Sequence, residues 1–239
     1  MDVIVFTCDK HLWAVKPMAW LFNKYWSPDQ RVIVVGYNTP DFDLPRNFAF
    51  YSVSTKEYPA DKWVDAALEF FSDYTSEHFV LFHEDYWLTR KVDVGGVHEL
   101  HKLCMGDRNI LRLDLTGDRL YAGGMHDTGY WSRFDLVEAP QSQYQMSHQA
   151  CIFNTELYTQ VLKMLPGDAH SAWNVELQGT TIVNAQGNRM RVYGTRQWPV
   201  RYANGLLKGK LDMNELPKLE KEDYNSIAGW IPEHYKSGE

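Results

Sequence analysis

Two adjacent acids, Glu84 and Asp85, end the run FVLFHEDYWL, where the apolar residues Phe79, Val80, Leu81 and Phe82 empty into a polar turn flanked by aromatics. Carboxylates at such a strand end are costly to bury without a partner, and as oxygen donors they suit a hard divalent cation. A cation held there could neutralise a diphosphate leaving group, which is the chemistry of nucleotide-sugar or phosphoryl transfer. The same acids could instead cap the next turn or pair with Arg90 and Lys91.

Other reactive types are arranged less pointedly. The nine histidines include no HExxH pair and no clustered Cys/His spacing, so no zinc site is expected, and His98 with His101 reads as a solvated helix face. Cys8, Cys104 and Cys151 are odd in number and lack a CxxC pair, which predicts reduced thiols and a cytoplasmic protein. GxxxxGK[ST], GxGxxG after the first strand and GxSxG are all missing, so a nucleotide would be held by scattered side chains rather than a glycine loop.

The elements that must position these groups follow from apolar patterning. Val3 to Phe6, Arg31 to Val35, Phe48 to Val53 and Phe79 to Phe82 read as short buried strands, and 13–26 and 62–74 carry helical spacing. Strand and helix alternation predicts an α/β fold with a mostly parallel open sheet and helices on both faces, in which ligands bind beyond the carboxyl ends of the strands. Thr7 to Asp9, Gly36 to Asn38 and His83 to Tyr86 are therefore the first places to look. Gly123 to Asp127 suits an acceptor loop or a hairpin.

The 239 residues carry a net charge of -7, with 44% hydrophobic and 23% charged positions, an ordinary globular composition that excludes a coat of general phosphate-backbone attraction. The opening MDVIVFTCDK predicts neither a signal peptide nor a membrane span. Without a linker-like stretch, the expected organisation is one domain over 1–210, with a nucleotide half to about 95 and an acceptor half over 96–210, followed by an appendage over 211–239 anchored by Tyr224, Ile227, Trp230 and Ile231.

Further signals lie late in the chain, namely Gln149-Ala150, Trp173-Asn174-Val175-Glu176, and Pro199, Tyr202 and Gly209. In this order after Glu84-Asp85-Tyr86 they resemble bacterial and phage glycosyltransferases of the GT-A fold, family 2-like, over most of the chain to about Lys210. The resemblance implies a Rossmann-like nucleotide half and an acceptor half, with Glu84-Asp85 in place of the family's Asp-x-Asp motif. Asp85 would then ligate Mn or Mg, and Glu84, adjacent rather than two positions earlier, would position it or touch sugar. It further implies that Thr7, Asp9 and Asn38 face the nucleobase and ribose, with Tyr37 or Trp63 offering a ring. Gln149-Ala150 would open a helix, with His148 and Gln149 near the sugar.

Glu176, in the Trp-x-x-Glu segment after the loop Pro166 to Ser171, is the candidate general base of an inverting transfer, because the acceptor hydroxyl attacks only as its proton leaves; Trp173 would contact the acceptor. Arg196, Arg201, Lys208 and Lys210 border glycines at 194, 205 and 209, which predicts a hinged basic lid over the diphosphate, with Arg196 and Lys208 as donor contacts. A UDP-sugar is the expected donor. The acceptor is a glycan or a hydroxymethylated pyrimidine in phage DNA, the former favoured by the lack of a basic surplus. Nucleotidyl transfer and a carbohydrate-binding protein without catalysis are the competing readings.

Overall fold

The computed structural model describes residues 1–54, 58–121, 123–167 and 171–236. The N-terminal apolar run forms β1 (Asp2–Phe6), and a 3-10 segment over Asp9–Ala14 leads into α1 (Val15–Tyr25). One helix is expected over 13–26; the chain instead winds tightly first, with the Cys8 carbonyl accepting from the His11 amide at 3.0 Å. β2 (Val32–Gly36), β3 (Phe48–Ser52), α2 (Trp63–Asp73) and β4 (His78–His83) follow within a residue or two of their expected bounds. Then come β5 (Tyr86–Leu88), α3 (Val94–Gly106), β6 (Ile110–Asp114), β7 (His126–Trp131), β8 (Phe134–Glu138), β9 (Cys151–Asn154), α4 (Thr155–Met164) and α5 (Ala172–Gln186). β10 (Arg191–Thr195), β11 (Tyr202–Asn204), β12 (Leu206–Leu207), β13 (Lys210–Leu211), α6 (Lys221–Ile227) and α7 (Glu233–Lys236) complete the chain.

These elements fall into two compact units. The β1 unit comprises Val3–Glu57, Phe82–Asp93 and Val200–Glu239, and the β9 unit Met1–Asp2, Tyr58–Leu81 and Val94–Pro199.

In the β1 unit, β3, β2 and β1 lie side by side and parallel, with Val32 opposite both Val3 and Phe48. Val3 to Phe6 and Val32 to Val35 are buried, which is why they read as unbroken apolar runs rather than alternating ones. Phe22 of α1 meets the rings of Phe48 and Phe82 edge-on. The tail is fastened where Lys24 and Tyr25 both bond the buried Asp223 carboxylate. Of the expected anchors Ile227 and Ile231 are buried, whereas Trp230 is only half buried and lies over the Lys16 ammonium. Tyr235 is the anchor the pattern did not disclose.

In the β9 unit the order is β4-β9-β6-β10-β8-β7. β6 and β10 are parallel; β9 runs against β4 and β6, and β8 runs against β10 and β7. β1, β2 and β3 thus share one direction, as do β4, β6 and β10, and the chain is α/β with helices around a mostly parallel sheet. Gln149-Ala150 does not open a helix. It leads into β9, because Cys151, Ile152 and Phe153 are fully buried between β4 and β6, a β-branched and aromatic run better matched to a central strand. Gly123 to Asp127 enters the hairpin β7–β8.

α3 carries a second departure from expectation. His98 is exposed, but His101 is half buried and its ring lies edge-on to the buried His78, with centroids 5.1 Å apart. Burial, followed by the charge of His78, pushes His101 down to about 4, and burial also lowers His78 despite the opposing charge of Glu77. A histidine whose folded pKa lies below its unfolded value of about 6.5 supports the fold as the neutral form, so its contribution is complete above 6.5 and is lost as pH falls toward 4. His101→Leu should therefore flatten the loss of stability between pH 7 and 4.5 by about 1–2 kcal/mol, a figure reduced for the ring's partial exposure. Urea midpoints of both proteins at the two pH values measure it; parallel losses would remove His101 from the acid response.

Candidate functional site

In the β1 unit β4 ends at His83, and the two acids follow directly. The Asp85 carbonyl accepts from the Trp87 amide at 3.1 Å and the Gly205 amide at 2.7 Å, so β5 and its antiparallel partner β11 pin the turn that carries the carboxylates. Tyr86 and Tyr202 stack face to face with centroids 4.2 Å apart. A Cβ on Gly205 would lie 2.7 Å from the Trp87 ring; Gly205 is thus a packing glycine, not the expected hinge. Burial, reinforced by the neighbouring Glu84 charge, lifts Asp85 to about 7.

Glu84, only 7% exposed, turns to a partner that spacing did not suggest. Its Oε1 is 3.4 Å from Nδ1 of His11, and the Cys8 thiol also bonds the His11 ring, so that contact, followed by the Glu84 one, raises His11 to about 10. The ligand atoms of Cys8, His11 and Glu84 all lie within 4.8 Å of one another. This corrects the expectation that no Cys/His cluster exists. The Cys8-x-x-His11 step was visible in the sequence, but its third member arrives from the end of β4, which only the sheet brings near.

Thr7 donates to the Cys8 carbonyl at 3.3 Å. Asp9 accepts from the Asn38 amide at 3.1 Å and from the Asn38 side chain, so these two expected donor contacts tie the loops after β1 and β2 together. Lys208 and Gly209, at φ 53 and 76, form the two-residue turn of the β12–β13 hairpin, a geometry that tight hairpins favour. A Cβ on Gly209 would sit 3.3 Å from the Lys10 ammonium. Lys208 and Lys210 are exposed on this hairpin.

The remaining expected residues belong to the β9 unit. α5 starts at the Ser171 cap, whose hydroxyl accepts from the Asn174 amide at 3.2 Å, and carries Trp173 and Glu176; residues 168–170 of the expected acceptor loop lie outside the described residues. Glu176 accepts the His148 amide on Oε1 at 2.7 Å, and burial raises its pKa above the ordinary carboxylate value, against that hydrogen bond and the Arg112 charge. His148 is 4% exposed, its Nε2 is 3.3 Å from the Tyr158 hydroxyl, and the Trp63 ring lies 5.2 Å from its own. Trp63 therefore packs on His148 within this unit. Gln149 is half buried, and Trp173 is exposed with its ring near Tyr144.

Beneath these residues is a charge network that the sequence pattern concealed. Arg112 pairs with Asp114 at 2.7 Å and Asp118 at 2.8 Å, and Arg119 reaches Asp114 at 2.9 Å. The two guanidiniums also bond the Tyr144 carbonyl, and Arg119 bonds the Gln145 side chain at 2.8 Å, so they hold the segment leading to His148. A Cβ on Gly194 would be 2.3 Å from the Arg119 stem; this glycine too serves close packing on β10 rather than a hinge. Arg196 pairs with Asp127 at 2.8 Å on the surface.

No protein-family model and no curated protein sequence matches the chain. Its architecture does match solved structures. A galactosyltransferase, LgtC, solved in complex with donor and acceptor sugar analogs, superposes at a TM-score of 0.51 and 10% identity, covering 99% of either chain. The fold is of the GT-A type. CMP:2-keto-3-deoxy-manno-octonic acid synthetase complexed with CTP aligns at 0.44 and 8% identity, over 81% of this chain and 88% of its own. The bifunctional IspDF from Campylobacter jejuni aligns at 0.45 and 12% identity, over 92% of this chain and 54% of its own. Among the described residues no helix is long and apolar enough to cross a membrane.

Proposed function

We propose that the chain transfers a sugar from a nucleoside diphosphate to a hydroxyl acceptor with inversion. The observation that carries this reading is the acid pair of buried Glu84 and half-buried Asp85 at the exit of β4, in a fold shared from end to end with a galactosyltransferase. Two adjoining carboxylates, one raised by burial and by its neighbour's charge, form an oxygen donor set whose mutual repulsion a divalent cation relieves, so these residues fit Mn or Mg. Asp85 would hold the ion with Glu84 beside it. A bound ion would supply positive charge to the departing diphosphate.

The chain's own groups do the rest, unit by unit. In the β1 unit Asp9 and Asn38 form a pre-tied polar edge for nucleoside contact, with Thr7 beside them, and Lys208 offers charge to the leaving group. In the β9 unit Arg196 offers a second charge and Trp173 an exposed ring for a sugar face. Glu176 takes the acceptor proton as the acceptor oxygen bonds the anomeric carbon and the bond from that carbon to the diphosphate oxygen breaks. Its raised pKa brings the carboxylate nearer to neutral pH, where a base transfers protons best. A UDP-sugar is the proposed donor, and an uncharged glycan hydroxyl suits a chain with a net charge of -7 better than DNA does.

Thermal shift with UDP-, GDP- and CDP-sugars, with and without manganese, tests this reading. One donor should raise the melting temperature only with metal, since ligand at 100 times its Kd contributes about 2.7 kcal/mol. The same donor should be slowly hydrolysed, and Asp85→Ala should remove the metal-dependent part of the shift. No stabilisation and no hydrolysis with any donor would overturn the assignment.

A further inference from the structure

We propose that Cys8, His11 and Glu84 form a binding site for a zinc-type transition-metal ion, with Sγ, Nδ1 and Oε1 as the ligand atoms. The site is built from three different chemistries that the fold gathers to one point. Cys8 is extended two residues beyond β1, and the 3-10 turn that follows brings His11 back toward it, its amide bonded to the Cys8 carbonyl at 3.0 Å. Glu84 arrives from the end of β4, already buried. All three ligand atoms lie within 4.8 Å of one another, and the Nδ1 to Oε1 distance is 3.4 Å. Two ligands of one tetrahedral ion, each bonded at 2.0–2.1 Å, are separated by about 3.4 Å.

The alternative use of such a trio is a proton relay from thiol through imidazole to acid, which engages both ring nitrogens, one for each neighbour. Here Glu84 lies on Nδ1, while the buried Nε2 of His11 has no hydrogen-bond partner. Among the described residues no group takes up the second ring nitrogen that a relay would use, while thiol, imidazole and carboxylate lie within ligating distance of one another. One thiolate, one imidazole and one carboxylate favour zinc over magnesium or calcium, and three protein ligands leave a fourth position for water or a substrate oxygen.

The surroundings hold the trio in place. The Tyr235 hydroxyl donates to the Lys10 carbonyl at 3.3 Å, its ring lies edge-on to His11, and the Gly209 turn closes within reach of the Nε2 side. This donor set shares Glu84 with the acid pair proposed for Mn or Mg but adds a sulfur and a nitrogen that Asp85 does not offer, and the assignment stands whether or not the chain transfers sugar.

The experiment is a titration of chelator-treated full-length protein, under reducing conditions, first with cobalt and then with zinc. One equivalent of cobalt should produce a thiolate charge-transfer band with intense tetrahedral visible bands, and one equivalent of zinc should bleach them. C8S and H11Q should lose the band and bind zinc at least about 100-fold more weakly, more than the loss of an outer-shell group costs. C104S and C151S, which alter buried thiols elsewhere, should keep it. Zinc should also shield Cys8 of the wild-type chain from alkylation, a readout that survives if C8S fails to fold. Absence of a thiolate band, its persistence in C8S, failure of zinc to bleach it, or unprotected Cys8 would each overturn the site. None of these readouts involves a sugar, so failure of the transferase reading leaves them unchanged.

Discussion

Glu176→Gln lowers turnover by about two to four orders of magnitude while leaving donor affinity and melting temperature near their wild-type values, the scale expected when a positioned base is lost. Glutamine retains the carbonyl oxygen that accepts the His148 amide, so the segment before β9 keeps its anchor and only proton acceptance disappears. Steady-state kinetics on a purified donor and acceptor, with anomeric analysis of the product, provide the measurement. A variant that transfers sugar at the wild-type rate, or a product that retains the donor's configuration, reduces Glu176 to a positioning acid for the His148 segment. Glu176→Ala separates the two roles further: it removes the hydrogen bond as well and should lower stability, which the glutamine variant does not.

The second large effect is on stability. Asp114 is 0% exposed and faces Arg112 and Arg119, themselves 0% and 1% exposed. Asp114→Ala would leave two buried guanidiniums short of their shared counter-charge, and breaking a buried pair from one side costs about 3–5 kcal/mol. Urea denaturation should show a midpoint shift of that size, whereas Asp127→Ala, which removes the exposed partner of Arg196, should leave the midpoint in place. A cost under about 1 kcal/mol for Asp114→Ala would mean that Asp118 alone satisfies both arginines. The double change Arg112→Met with Asp114→Leu should recover part of the loss, because a matched apolar pair needs no compensating charge.

Much of the fold was legible from local sequence. Val3 to Phe6 and Val32 to Val35 are continuous apolar runs, and a strand covered on both faces has no polar side to interrupt it. The helical spacing of Trp63, Ala66, Ala67, Phe70 and Phe71 marks a side of α2 on which all but the half-buried Trp63 are buried, because residues three and four apart share a face. The acids after Phe82 stood out for a similar reason, since an abrupt change from apolar to charged marks a strand end, and strand ends in α/β sheets are where ligands bind.

What local pattern could not decide is which distant residues meet. Ala150 to Phe153 is apolar enough for either a helix or a strand, and only its place between β4 and β6 selects the strand. Gly194 and Gly205 resemble hinges in a sequence, yet each is glycine because a side chain from elsewhere, Arg119 or Trp87, occupies the space a Cβ would need. Arg112 and Asp114 alternate like surface residues and are nevertheless enclosed, because opposite charges can be buried when they are buried together. Cys8 and His11 showed two members of the proposed metal site, and Glu84 becomes the third only when the sheet is assembled. The chain's local periodicities determined its elements and the strand end at which to look; the partners of each charged and thiol group were decided by tertiary structure, because hydrogen bonds, ion pairs and ligation act over a few ångströms between residues far apart in sequence.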